Sequence, residues 1–155
     1  MTGKAAWARL GGATAFAVAL VLALSPPRPP LRLPPVASAP AGLLAGAALA
    51  VGVRRGAFAR SRPSPTLLAL LAVSAANEEL IWRRVLAGEL LHAGAFAALA
   101  GSTVVFALAH RGRPGLHLAT GGLFGGLYLA TGALTAAFAA HWAYNVGLAG
   151  GGVTP

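Results

Sequence analysis

Six polar side chains stand in stretches that are otherwise apolar: Glu78, Glu79, Arg83, His110, His141 and Asn145. Ionisable groups in such stretches are costly and ordinarily face a bundle interior or a wet cavity, which makes each a functional candidate. In Glu78-Glu79-Leu80-Ile81-Trp82-Arg83, Glu79 and Arg83 are four residues apart with the acid on the N-terminal side, the favourable order for a helical ion pair. Glu78 points about 100° away around the same helix. One acid is thereby neutralised locally while its neighbour stays available for chemistry. Phe106-Ala107-Leu108-Ala109-His110 and His141-Trp142-Ala143-Tyr144-Asn145 each place their first and last residues on one helix face. A carboxylate, two imidazoles and an amide form a set that moves protons and donates hydrogen bonds. His92 and His117 lie near helix ends and read as interfacial, and Ser102 reads as a packing hydroxyl.

Missing residue types narrow that chemistry. The 155 residues include no Cys and no Asp, and the acids are Glu78, Glu79 and Glu89. Thiol catalysis, disulfide scaffolds, cysteine-based metal sites and aspartate dyads are therefore excluded. No His-Glu-x-x-His is present for a zincin, and Gly101-Ser102-Thr103 lacks the Gly-x-Ser-x-Gly setting of a nucleophilic serine. With 57% hydrophobic and 10% charged residues and a mean hydropathy of +0.72, the chain is no ordinary soluble domain, where about a quarter of residues carry charge. The net charge of +9 would suggest nucleic acid in a soluble protein. Here the basic residues fall in short clusters between uncharged stretches (10–27, 33–53 and 114–155), a pattern of membrane topology, so the expected partner is the lipid bilayer and not nucleic acid.

The elements that must position these groups follow from that pattern. A crossing takes about 20 apolar residues, and helices are expected over 10–24, 35–53, 66–91, 95–110, 116–130 and 133–148. Pro26-Pro27-Arg28-Pro29-Pro30 stops the first, Pro63 and Pro65 sit where the third begins, and Gly112, Pro114 and Gly115 separate the fourth from the fifth. The expected fold is all-α, a polytopic membrane protein of about six transmembrane helices around a buried polar site. Residues 1–62 form an N-terminal hairpin of about two spans, 63–150 a helical core and 151–155 a short tail. A signal peptide is the rival reading of the first span, with Lys4 and Arg9 before it and Ala37-Ser38-Ala39 as a cleavage-like site, although Pro40 follows directly. Gly121, Gly122, Gly125 and Gly126 suit close helix approach. Lys4, Arg9, Arg54, Arg55, Arg60, Arg62, Arg111 and Arg113 on one side against Arg28, Arg32, Arg83 and Arg84 on the other place both termini in the cytoplasm. With a bend at 91–93, Glu78 lies 14 residues before His92 and His110 lies 18 after it, arms of about 21 and 27 Å. An antiparallel hairpin then brings both to similar depth, where His141 and Asn145 can join them.

The ordered motifs Glu-Glu-x-x-x-Arg, Phe-x-x-x-His and His-x-x-x-Asn, each on a hydrophobic helix between about Leu67 and Leu148, resemble the CPBP group of intramembrane proteases. That group contains the CAAX prenyl endoproteases and the bacteriocin-processing or immunity proteins also called Abi. The stretch 122–134, Gly-Leu-x-x-Gly-Leu-Tyr-x-x-Thr-Gly-x-Leu, is similar to the family's helix before the last histidine. The resemblance implies an intramembrane endopeptidase with a CPBP-like catalytic core. In it, Glu78, helped by His110, is the general base that activates water, and His141 and Asn145 stabilise the oxyanion. Arg84 stands where the family commonly has Gly, and Trp82 where Phe is usual. About two spans precede the motifs, fewer than in the eukaryotic prenyl-protein proteases. The expected substrate is a membrane-associated peptide or a protein's C-terminal tail, and the Arg-, Ala- and Gly-rich composition suggests the inner membrane of a bacterium with a GC-rich genome.

The resemblance also raises a metal, because the family has been described as metalloproteases. Glu78, His110 and His141 are the candidate ligands and zinc is the possible ion. Asn145 is a poor zinc ligand but a good amide donor, and no His-x-x-x-His fixes two ligands on one face. No cofactor is therefore favoured. The alternative functions are a non-catalytic immunity or scaffold protein and a small proton-linked transporter, since buried Glu and His also carry protons.

Overall fold

Six helices and no strand make up the described residues of the computed structural model, which are 3–54, 62–110 and 112–149. They are α1 (Gly3–Leu24), α2 (Pro35–Arg54), a long α3 that starts at Pro65, α4 (Ala95–Ala109), α5 (Pro114–Thr131) and α6 (Leu134–Ala149). Helix α3 runs α-helically over Pro65–Glu79, becomes π-helical over Leu80–Ala87, returns for one turn over Gly88–Leu90 and closes on the 3₁₀ turn Leu91–Ala93. Pro65 occupies its first turn and Ser64 caps it, accepting from the Leu67 amide at 3.2 Å. Left-handed glycines end two elements, Gly94 (φ 103°) after α3 and Gly132 (φ 71°) after α5.

The all-α class and the six helices agree with the sequence reading, and the bend falls at 91–93 as expected. Two details differ. Helix α1 begins at Gly3, and the π segment of α3 has no counterpart in a regular 3.6-residue reading. By length and composition α1 and α2 are long and apolar enough to cross a membrane, while α4 is apolar but shorter. The 15 residues of α4 span only about 22 Å.

The tightest packing joins α2 to α6. Ser38, Gly42, Gly46 and Ala50 recur every four residues and are the buried positions of α2, so one ridge of small side chains lies against α6. A Cβ on Gly42 or Gly46 would collide with the carbonyl oxygens of Ala136 and Ala140. The Ser38 and Thr135 hydroxyls meet at 2.8 Å at one end of the contact. Near the other end, Arg54 donates to the Gly147 carbonyl at 2.6 Å. The four glycines of α5 divide. Gly121 packs against Phe106 and Thr103, and Gly125 leaves room for Leu99 and Arg83, whereas Gly122 and Gly126 have nothing within 4 Å of a would-be Cβ.

Helix α1 reaches the site through α3. The buried Asn77, immediately before the two glutamates, donates to the Leu10 carbonyl at 3.1 Å and accepts from the Thr14 hydroxyl at 2.8 Å. The proline-rich connector after α1 is tied down at two points. Arg84 donates to the carbonyls of Pro26 at 2.5 Å and Pro27 at 3.1 Å, and the amides of Arg32 and Leu33 donate to the Thr131 carbonyl at 2.8 and 3.1 Å. The charge count set Arg83 and Arg84 on the outer side with Arg28 and Arg32, but their side chains do not lie free at a surface. Both are buried on the π-helical segment, with one guanidinium against Glu79 and the other against the connector. Arg55, Arg60 and Arg111 from the same count lie outside the described residues.

The two classes of glycine give a direct test. Gly46→Val should destabilise the fold by on the order of 1–3 kcal/mol through overpacking of α2 on α6, while Gly122→Ala should leave thermal stability in detergent unchanged or slightly raised. Equal melting temperatures for the two variants would contradict this packing.

Candidate active site

Glu79 is fully buried and each of its carboxylate oxygens has its own donor. Oε2 accepts from Arg83 Nε at 3.1 Å, and Oε1 lies 2.8 Å from His141 Nδ1. A buried carboxylate is tolerable only when paired and hydrogen-bonded in this way. Arg83 extends the network across to α4 by donating to the Ser102 hydroxyl at 3.3 Å, which in turn donates to the Leu99 carbonyl at 3.4 Å. The guanidinium also lies 5.5 Å from the centre of the Phe106 ring, within range of a cation–π contact. Ser102 is thus a packing hydroxyl with a specific partner.

His141 projects from the middle of α6. Its ring stacks on Phe124, with centroids 4.8 Å apart and an interplanar angle of 18°, and its Nδ1–H is committed to Glu79. Nε2 consequently faces the other glutamate, 3.9 Å from Glu78 Oε2. His110 reaches the same atom from the opposite direction. It follows the last residue of α4 in an extended conformation, donates Nδ1–H to the Phe106 carbonyl at 2.7 Å, and places Nε2 3.3 Å from Glu78 Oε2. Both tautomers are assigned from the groups that Nδ1 meets. Glu78 Oε1 accepts from the Ser74 hydroxyl at 3.4 Å, whereas the buried Oε2 has no hydrogen bond of good geometry despite the two nearby nitrogens. One proton placed between Oε2 and either imidazole resolves the approach of three lone-pair bearing atoms.

These groups open onto a cavity of about 500 Å³ lined by Glu78, His110, His141 and Asn145 and extending past His117 to Arg113 and Leu148. Asn145 is 8% exposed, lies one turn beyond His141, and makes no hydrogen bond among the described residues. Its amide is available to a bound group. The structure therefore brings Glu78, His110, His141 and Asn145 to one cavity and sets Glu79 and Arg83 behind it. His117 departs from the sequence reading. It lines the cavity and stacks on His110, with centroids 4.9 Å apart, because the short break between α4 and α5 folds the two histidines face to face. That break, Gly112 and Pro114 between His110 and His117, was the available signal. His92 is exposed at the end of α3, as read.

A catalytic zinc would need Glu78, His110 and His141 each within about 2.0–2.2 Å of one point. Among the described residues no group of three or more His, Cys, Asp or Glu side chains is placed to hold a metal ion.

The family described as type II CAAX prenyl endopeptidase Rce1-like matches the chain over residues 60–147, more than half its length. The chain belongs to this CAAX protease family. The match takes in α3 to α6 almost entirely and ends just after Asn145. No curated protein and no solved structure matches the chain. The family is a protease family, which supports a hydrolase acting on peptide bonds.

Because Glu79 orients His141 as well as neutralising Arg83, its loss should cost more than an ion pair. Glu79→Gln is expected to lower kcat by at least about 10²-fold, as when the carboxylate behind a catalytic histidine becomes an amide. Glu79→Leu combined with Arg83→Leu should accumulate better than either single variant without regaining activity, since no unpaired buried charge remains. Parental turnover in Glu79→Gln would refute the orienting role.

Proposed function

We propose that this CAAX protease family member is an intramembrane endopeptidase that hydrolyses a peptide bond in a membrane-associated peptide or a protein's C-terminal tail. The observation that supports it best is the convergence of Glu78 Oε2 with Nε2 of His110 and His141 at 3.3 and 3.9 Å on a cavity also lined by Asn145. Family membership and the two long apolar helices support the membrane setting. So do large apolar side chains left bare on several helices, among them Leu22 on α1, Leu44 on α2 and Leu108 on α4, which in water would form an adhesive surface.

In this reading a water molecule sits against Glu78 Oε2, and its oxygen attacks the carbonyl carbon of the scissile bond. With the resident proton on His141 Nε2, Glu78 starts as a carboxylate, takes the proton the water loses and shares it with His110 Nε2. Negative charge gathers on the carbonyl oxygen, where the Asn145 amide and a protonated His141 Nε2 donate hydrogen bonds. Glu79 stabilises that imidazolium through Nδ1–H, and Arg83 balances Glu79 in turn. As the C–N bond breaks, the stored proton passes to the departing amine, leaving a new carboxyl terminus and a new amino terminus. Side chains alone supply each of these steps, so water activation without a metal is the reading retained.

Glu78→Gln and His110→Ala should each lower cleavage of a susceptible membrane peptide by about 10³-fold or more in reconstituted vesicles while the protein still accumulates. Near-parental cleavage by either would remove the assignment. Elemental analysis of active protein should show no stoichiometric zinc; zinc at one per chain, with activity lost to a chelator and restored by the metal, would replace the metal-free mechanism.

The cavity reaches Val53 and Arg113 at the ends of α2 and α5, so the side on which those ends lie is the side from which it is entered. The excess of basic residues there places it in the cytoplasm, with both termini, at what composition suggests is a bacterial inner membrane. A reporter fused after Pro155 should behave as cytoplasmic and one inserted near Pro29 as external. Reversed labelling would put the entrance on the opposite face.

A further inference from the structure

His110 differs from the other members of the site in having no helix on both sides of it. Glu78 and Glu79 sit within α3, and His141 and Asn145 within α6, whereas His110 follows the last residue of α4. Its side chain is still 30% exposed. A group in that position keeps several rotamers unless something packs against it, yet its Nε2 must stay within reach of Glu78.

The rings around it supply that restraint. Phe106 lies 4.2 Å from His110 by centroids, His117 lies 4.9 Å away with an interplanar angle of 30°, and Phe106 and His117 meet edge to face at 6.1 Å. The three rings close a triangle. The Phe106 contact and the Nδ1 hydrogen bond both come from the turn that precedes His110, and alone they would leave the ring a hinge. Besides Glu78, which meets only the edge of the ring at Nε2, His117 adds a contact to its flat face from a different helix. Its own backbone is fixed in the first turns of α5, with its amide donating to the Arg113 carbonyl at 3.1 Å and its carbonyl accepting from the Thr120 hydroxyl at 3.2 Å.

We propose that His117 is a positioning residue of this site, which holds the His110 ring so that Nε2 stays against Glu78. The inference rests on the hydrolytic reading for its kinetic consequence but not for its structural one. Stacked rings present their faces to each other, and ring N–H groups lie in the ring plane, so the geometry favours support by the flat face over proton transfer between the two imidazoles. What His117 contributes is therefore shape, and another flat ring of similar size should replace it.

The test uses the full chain in lipid nanodiscs, with imidazole resonances of labelled histidine recorded alongside kcat and KM for a cleaved membrane peptide. His117→Ala should lower kcat by between about tenfold and 10²-fold, as for a misplaced catalytic group, with KM within about twofold of the parent, and the His110 resonances should shift and broaden. His117→Phe should restore kcat to within about threefold of the parent and return the His110 signals toward their original positions. His92→Ala, remote from the cavity, serves as the control. Parental kcat and unchanged His110 resonances in His117→Ala would overturn the proposal. Equal impairment in His117→Phe and His117→Ala would also overturn it, because a ring nitrogen would then be required. Should the parent cleave no peptide, the proteolytic reading fails while the His110 resonances of the two variants still decide the positioning role.

Discussion

Everything at the site is referred to one buried carboxylate. Glu79 has no contact with water, and its two oxygens are taken by partners with opposite consequences: Arg83 makes its charge affordable, and His141 is turned by it toward the cavity. Remove the guanidinium and an uncompensated charge is left in a low-dielectric interior, at a cost of about 3–5 kcal/mol. Remove the carboxylate and both the arginine and the imidazole lose their reference point. The pair stabilises little on balance, since desolvation offsets much of the attraction. Its value lies in fixing the geometry of a histidine on α6, three helices further along the chain than the arginine.

The surrounding fold can be understood as what such a pair requires. On the α5 side Arg83 lies beside Gly125, where a Cβ would press on Leu99 at 3.0 Å and stand at ordinary contact distance, 3.4 Å, from the guanidinium. It needs an acceptor on α4, provided by Ser102. The π segment admits Arg83 and Arg84 together to the interior. On the far side, the small-residue ridge of α2 lets that helix lie against α6 at backbone distance and supports the helix that carries His141 and Asn145. Without water to drive apolar surfaces together, helix association relies on such van der Waals fit and on interhelical hydrogen bonds.

Much of this was legible in the sequence, for reasons that can be named. The Glu79–Arg83 contact follows from i,i+4 spacing, and the common depth of Glu78 and His110 follows from counting residues to a bend that glycine marks. Both depend on local geometry alone. The ridge Ser38, Gly42, Gly46 and Ala50 was equally visible as a four-residue repeat, but the sequence holds several runs of small residues, and which face packs is settled only by the partner helix. Gly122 and Gly126 show the reverse case, small residues with no close neighbour. The π segment lay beyond reach because it arises from burying two adjacent arginines against different partners, a tertiary demand that overrides regular helical winding. His117 was read as interfacial because position near a helix end was taken as depth. The break between α4 and α5, residues 110–113, signals a turn there, but its direction, which brings His117 onto His110, is not encoded by spacing.

Two adjacent glutamates on one helix would ordinarily compete for the same protons and partners. Here the roughly 100° between neighbouring side chains separates them into different surroundings. Glu79 faces the packed interior, held by Arg83 and by the Nδ1 side of His141, the ring edge turned away from the cavity. Glu78 faces the cavity with 28% of its side chain exposed, Oε1 weakly held by Ser74 and Oε2 left for other use. His141 touches both, through a different ring nitrogen to each. It thereby couples a fixed charge to a changeable one: any proton gained at Nε2 on the cavity side is felt at Nδ1 by a carboxylate already committed to Arg83. A helix that presented only one acid could either anchor the histidine or face the cavity, and the consecutive pair lets α3 do both from a single turn. In the proposed mechanism the cavity-facing acid is the one that acts on water.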